Sequence, residues 1–251
     1  MSDQLDSAAY YHIAYESHAI MNPLSDERFL LLAAQCGLDE SSLVLDVGSG
    51  NGWSSYLLCR SFGCHSTQVD VSEQWTAQAR TLFEGEGLAD RTEIHCMDAN
   101  AFYYRDVSYD LVICLGTALM FGGFEKALRR LARAVTPEGF IIIGEPSAEA
   151  TLPKRYREFL DASGWEVHTS RQLLRSIDDC GLEMLWTLRS THDEWDRYMS
   201  MQWKAISDRA RANPGDAQLQ DFLGWVRDEQ ETWLRYQRHH VDWNVLLLRP
   251  L

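Results

Sequence analysis

Between residues 43 and 53 the chain reads LVLDVGSGNGW, an apolar run that meets an acid and then three glycines set two apart. Leu43, Val44, Leu45 and Val47 have the apolar, partly β-branched character of a strand covered on both faces. Gly48, Gly50 and Gly52 let the following backbone turn tightly and approach a bound molecule, because no Cβ intervenes. A loop of this kind that opens a helix also presents unpaired N–H groups to an anion. The stretch therefore predicts the first strand of an α/β sheet and the loop that receives its ligand.

Downstream, strand and helix patterns alternate. A helix over 52–62 is followed by a strand over 66–71 that contains Asp70, and Ser72 then caps a helix to about residue 84. Strands are expected at 92–97, with Asp98 beside the end, at 109–115 (YDLVICL) and at 140–145 (FIIIGE). A helix over 124–135 and a Thr136–Gly139 turn separate the last two, proline presetting one dihedral and glycine allowing a left-handed one. Five repetitions predict a doubly wound, mainly parallel sheet with helices on both faces. Ligands of such sheets lie past the carboxyl ends of the strands. Here those ends supply Asp46 with the glycine loop, Asp70, Asp98, Gly116 and Glu145.

The flanks depart from this rhythm. Residues 5–20 hold Tyr10, Tyr11, His12, Tyr15 and His18, which either cover the ligand or dock on the core, and Ser25 is expected to cap a helix that Gly37 ends. After a helix at 170–180 and a strand at 182–190, a long insert precedes the strand at 241–249. The insert, His192 to His240, predicts two helices broken at Asn213-Pro214-Gly215; it holds Trp195, Trp203, Trp225 and Trp233, with Tyr198, Met199, Ile206 and Phe222 at helical spacings. We expect it to fold over the cleft.

Charge narrows the partners. With 37 acidic and 23 basic residues, a net of −14, the chain would on average repel a phosphate backbone or an anionic membrane surface. Six cysteines without a CxxC pair read as reduced thiols, with no disulfide frame and no metal site. No basic leader and no apolar run of ~20 residues is present, so a cytoplasmic protein is expected.

A dinucleotide loop needs G-x-G-x-x-G, and here Trp53 stands where the third glycine should be. The pattern D-x-G-x-G-x-G from Asp46 to Gly52 instead resembles the first motif of the class I S-adenosylmethionine (SAM)-dependent methyltransferases. In that family an acid ending the second strand takes the ribose hydroxyls, an acid after the third faces the adenine amino group, and residues after the fourth line the cleft. VDVS with Asp70, MDAN with Asp98 and VICLGTA with Leu115-Gly116 are similar to these motifs. The chemistry agrees, because a carboxylate accepts from vicinal hydroxyls or an amino group but repels a ribose phosphate. More narrowly, CLGTALMFGGFEKAL, IIIGEP, HDEWDRYMSMQW and the last strand resemble a subfamily of bacterial small-molecule methyltransferases with a helical insert.

The resemblance implies a Rossmann-like, seven-stranded sheet whose last strand is antiparallel, in one domain: helical cover 1–40, core 41–190, helical lid 191–240, last strand 241–251. It implies SAM as cofactor, with Asp46, Gly48, Ser49, Gly50, Asp70, Val71, Asp98, Ala99, Leu115 and Gly116 as its binding residues. Methyl transfer from a sulfonium is an in-line displacement that rests on positioning and exclusion of water, and a base is needed only if the nucleophile carries a proton. Candidate bases are Glu145, His12, His18 and His192; candidate substrate contacts are Tyr11, Trp195, Tyr198 and Trp203. Aromatic walls suit an apolar, aromatic or amine acceptor. The alternatives are an NAD-dependent oxidoreductase and a SAM-binding regulatory module without turnover, and the oligomeric state is left open.

Overall fold

The computed structural model describes residues 7–148, 152–163 and 167–251. The elements are α1 (Ser7–Ala14), α2 (Asp26–Ala33), β1 (Leu43–Val47), α3 (Trp53–Phe62), β2 (His65–Asp70), α4 (Glu73–Gly85), β3 (Thr92–Cys96), β4 (Tyr109–Leu115), α5 (Phe124–Ala134), β5 (Val135–Ala148), α6 (Lys154–Ser163), α7 (Ser170–Asp179), β6 (Leu182–Arg189), α8 (His192–Ala212), α9 (Ala217–Thr232) and β7 (Val241–Pro250). Seven strands form one sheet in the order β3-β2-β1-β4-β5-β7-β6. The contacts among β1 to β5 are parallel, and β7 runs antiparallel between β5 and β6.

Alternation along the strands sorts the core into two layers. Val44, Leu111, Ile113, Ile142, Val245 and Leu247 face Phe29, Leu32, Leu58 and Phe83 from α2 to α4. Their neighbours Leu45, Val112, Cys114, Ile141, Ile143 and Leu246 face the other way, onto α5 and α7. Helix α5 earns that position by burying Phe124, Ala127, Leu128 and Leu131, the spacing of one helical face. Covering both faces brings the loops at the carboxyl ends of β1, β2, β4 and β5 together at one edge.

Helices α8 and α9 turn around Asn213–Asp216, where Asp216 caps α9 by accepting from the Leu219 N–H at 3.1 Å. Helix α1 packs against this pair and not against the sheet: Tyr10 and Ala14 join Ile206, Ala210, Leu219, Phe222 and Val226 in a separate buried cluster. Burial of Tyr10 and Phe222 gains about 1.5–3 kcal/mol each, which ties the N-terminal segment to the insert. Among the described residues no helix is long and apolar enough to cross a membrane.

One local expectation changes, and one helix is added to those expected. The Thr136–Gly139 turn is an outward excursion within β5: Tyr109 faces Val135 while Leu111 already faces Phe140. Gly139 is not left-handed. A Cβ there would stand 2.9 Å from the Asp110 carbonyl oxygen, so close packing is what excludes a side chain. Helix α6 carries no strong periodic signal in sequence; it is held by Tyr156 and Leu160 against Ala148 and Val241, with Tyr156 stacked on Tyr236 at 5.5 Å.

Candidate active site

A cavity of about 700 Å³ runs from the glycine loop to the inner faces of α8 and α9. All three loop glycines are left-handed, with φ of 73° at Gly48, 55° at Gly50 and 78° at Gly52. At Gly52, the cap of α3, a Cβ would lie 2.8 Å from Ala79 Cβ on α4. This glycine therefore provides the close helix contact, and Trp53 needs none: it begins α3 and donates its indole N–H to Asp26 at 3.1 Å.

The expected row of unpaired amides is not what the loop offers. The Gly48 and Ser49 N–H groups donate to the Val69 carbonyl at 2.8 and 3.2 Å, and that of Gly52 to the Ser49 carbonyl at 3.0 Å. The Gly50 N–H donates to Asp70 Oδ2 at 2.8 Å, and the Trp53 N–H to Asn51 Oδ1 at 3.2 Å. A ligand thus meets a rigid, self-bonded loop at close range. Ser49 Oγ, buried in the same wall, has no partner among the described residues.

Asp70 also accepts from the Ser72 N–H at 2.9 Å, so both oxygens are oriented while each keeps a lone pair for a vicinal hydroxyl. Asp46 lies buried on the floor and accepts from Ser55 Oγ at 2.8 Å, which fixes the first turn of α3. Burial pushes its carboxyl up to about 7, against the Ser55 hydrogen bond and with a further push from Asp70. Leu115 and Gly116 close the floor beside Glu145, which is buried within β5 opposite Asn244, because the strand expected to end there continues to Ala148. The segment Ala19–Pro23 is pinned across the loop: Asn51 donates to the His18 and Ala19 carbonyls at 2.9 and 3.0 Å.

The opposite walls follow helical periodicity. Helix α8 supplies Trp195, Tyr198, Met199 and Gln202, helix α9 supplies Trp225, Asp228, Glu229 and Thr232, and α1 with the turn that follows it supplies Tyr11 and Tyr15. Each set is one face, at i, i+3, i+4, i+7 or i, i+4. The Tyr15 and Tyr198 hydroxyls bond each other at 2.6 Å, and burial holds both phenols well above their usual range, hence neutral. Glu229 Oε2 accepts from the Trp203 indole at 2.9 Å and from Tyr10 at 3.4 Å. Burial raises this carboxyl, and both hydrogen bonds work against the rise.

Of the residues singled out in sequence, Asp46, Gly48, Ser49, Gly50, Asp70, Leu115, Gly116, Glu145, Tyr11, Trp195 and Tyr198 line this cavity. Val71, Asp98 and Ala99 lie outside its wall; Val71 and Asp98 are exposed, and Asp98 Oδ1 accepts from the Asn100 N–H at 2.8 Å, as a loop cap does. His12 stacks on Trp75 at 4.9 Å and bonds Gln74 and Ser72, so α4 holds it beside the cavity without admitting it. His18 is buried behind Tyr198, whose carbonyl accepts from its Nε2–H at 3.1 Å. His192 is exposed at the first residue of α8, one turn before Trp195, and does not line the cavity. Trp203 sits one position off the wall and reaches it only through Glu229. Trp75, Trp243, Gln202 and Glu229 were missed and Trp225 was named only as one of the insert's tryptophans, although the i, i+3, i+4, i+7 spacing of both insert helices could have found those on α8 and α9.

A parallel sheet with one reversed strand, a glycine loop after β1 and an acid ending β2 is the arrangement of the class I SAM-dependent methyltransferases; the chain has that fold and is a SAM-dependent methyltransferase, with SAM as methyl donor. Residues 44–139 match the family described as a methyltransferase domain. An uncharacterized protein of Escherichia coli (strain K12), YjhP, is 28% identical over 97% of this chain and 99% of its own. The crystal structure of a SAM-dependent methyltransferase from Geobacter sulfurreducens in complex with S-adenosyl-L-homocysteine (SAH) is 29% identical, covers 99% of this chain and 100% of that one, and superposes with a TM-score of 0.88. A sarcosine/dimethylglycine N-methyltransferase of Halorhodospira halochloris is 28% identical over 89% of this chain and 80% of its own.

Proposed function

We propose that the chain methylates a small acceptor of aromatic, heteroaromatic or amine character, enclosed between the sheet edge and a lid formed by α1, α8 and α9. The observation that carries this reading is one continuous cavity of about 700 Å³ with a glycine loop and Asp70 at one end and aromatic side chains at the other. That volume suits a small molecule and no polymer. The net charge of −14 argues in the same direction, against nucleic acid and anionic membranes. The chain is read as one domain working in the cytoplasm, where six unpaired thiols stay reduced.

The residues present fit the donor. Asp70 would take the ribose hydroxyls, Trp75 the flat purine, and the loop with Asp46 and Ser49 the amino-acid end. The sulfonium supplies an electrophilic methyl for in-line displacement. The remaining residues place an acceptor in line with it and keep water out. Glu145 on β5 would touch the acceptor, a reading that its burial in the cavity floor supports. The test is thermal denaturation with SAH. At a hundredfold excess over Kd the melting temperature should rise by about 5–10 °C. Asp70→Ala should remove most of that rise, and no rise in the wild type would overturn the proposal.

A further inference from the structure

The lining of the cavity contains five carboxylates, Asp46, Asp70, Glu145, Asp228 and Glu229, and among the described residues no lysine, arginine or histidine. Residues 1–6, 149–151 and 164–166, which lie outside the description, contain none of those three types either. Asp46 and Asp70 belong to the donor end, where they hold Ser55 and the glycine loop. The other three stand on two further walls, Glu145 on β5 and Asp228 and Glu229 on α9.

Such a lining selects by charge. A carboxylate or phosphate on the acceptor would lose its hydration, face carboxylates and gain no cationic partner. An ammonium gains Coulomb attraction inside a region that water screens poorly, and it gains the faces of neighbouring aromatic rings. Both are present at one place. Glu229 is fixed by the Trp203 indole at 2.9 Å and the Tyr10 hydroxyl at 3.4 Å, so its position does not depend on a ligand. Around it stand Trp225, one turn earlier on α9, and Tyr11, stacked on Tyr15 at 5.9 Å with 17° between the planes.

Resting on the methyltransferase reading above, we propose that the acceptor is a basic amine without carboxylate or phosphate, recognised as a cation by Glu229 and the rings of Tyr11, Tyr15 and Trp225. This separates the chain from its sarcosine/dimethylglycine relative, whose named acceptors are amino acids. The amine reacts as its free base. The proton it brings passes to a wall carboxylate, the nitrogen lone pair forms the N–C bond, and the electrons of the S–C bond remain on sulfur.

The test is calorimetric titration of the protein saturated with SAH, using three probes that share a benzyl group and differ in charge: benzyltrimethylammonium, phenylacetate and benzyl alcohol. The cation should bind at least about tenfold more tightly than either of the others. Glu229→Gln, which keeps an oxygen for Trp203 and Tyr10, should lower the affinity for the cation about tenfold while SAH still binds within about twofold of wild type. Phenylacetate or benzyl alcohol binding as tightly as the cation overturns the inference, as does a cation that fails to bind or a ranking unchanged in Glu229→Gln. If the variant does not fold, the wild-type ranking alone decides. Failure of SAH itself to bind is a separate result: it overturns the donor reading, and the inference with it.

Discussion

At the residue scale the floor of the cavity is set by Asp46. A carboxyl raised to about 7 by burial holds a proton in the folded protein that it loses in the unfolded chain near its ordinary value of about 4. Below about pH 4 it is protonated in both states and costs nothing; between about 4 and 7 stability falls as pH rises; above about 7 the penalty is complete. Asp46→Asn should therefore raise the melting temperature more at pH 8 than at pH 5, measured without ligand, and an equal effect at both values would remove burial as the cause. The same variant keeps a side-chain oxygen for Ser55, so α3 retains its start. Its neighbour Asp70 was legible in sequence from its place after a strand and behind a glycine loop. Its two backbone hydrogen bonds were not, because they depend on how far the loop folds back on β2.

At the element scale the insert and the N-terminal segment act as one piece. Helix α8 opens with a capping box in which the Thr191 hydroxyl accepts from the Glu194 N–H at 3.2 Å and Glu194 reaches back to the Thr191 N–H at 2.8 Å. Glu194 also pairs with Arg28 at 2.5 Å and accepts from the Ser25 N–H at 2.9 Å, so the start of the insert is fastened to α2. Thr191→Ala should cost about 0.5–2 kcal/mol in chemical denaturation. Phe222, fully buried between α1, α8 and α9, has the larger effect. Phe222→Ala should cost about 3–5 kcal/mol, seen in hydrogen exchange as faster opening of 192–232 and 7–14 ahead of the sheet. Exchange that speeds up equally in β4 would show that the insert is not a separate cooperative unit. The two insert helices, their break and the cap of α2 could be read from periodicity and from Ser25, because those signals are local. Helix α6 could not, since its apolar contacts come from strands far away in the chain.

At the scale of the whole molecule, 14 excess negative charges repel one another in the compact state. Raising sodium chloride from about 20 to 200 mM shortens the screening length to below about 10 Å and should raise the melting temperature; a fall would mean that favourable ion pairs outweigh the repulsion. Surface pairs such as Lys204 with Asp208 or Arg129 with Glu125 are solvated and contribute little against it. The seven-stranded sheet and its ligand edge were largely determined by the sequence itself. The central strands β1, β4 and β5 carry near-continuous apolar runs, and a glycine loop with an acid after the next strand leaves few other uses. Which side chains share the cavity was decided by tertiary structure alone. Tyr11, Tyr198 and Glu229 are far apart in the chain and meet only because α1 docks on the insert through Tyr10 and Phe222. His12 is excluded for the same reason: helix rotation, set by which faces bury apolar area, turns it onto α4, while His192 stands in solvent at the start of α8. Local chemistry chooses the elements, whereas the wall of a cavity depends on the packing angle between helices, which no single segment encodes.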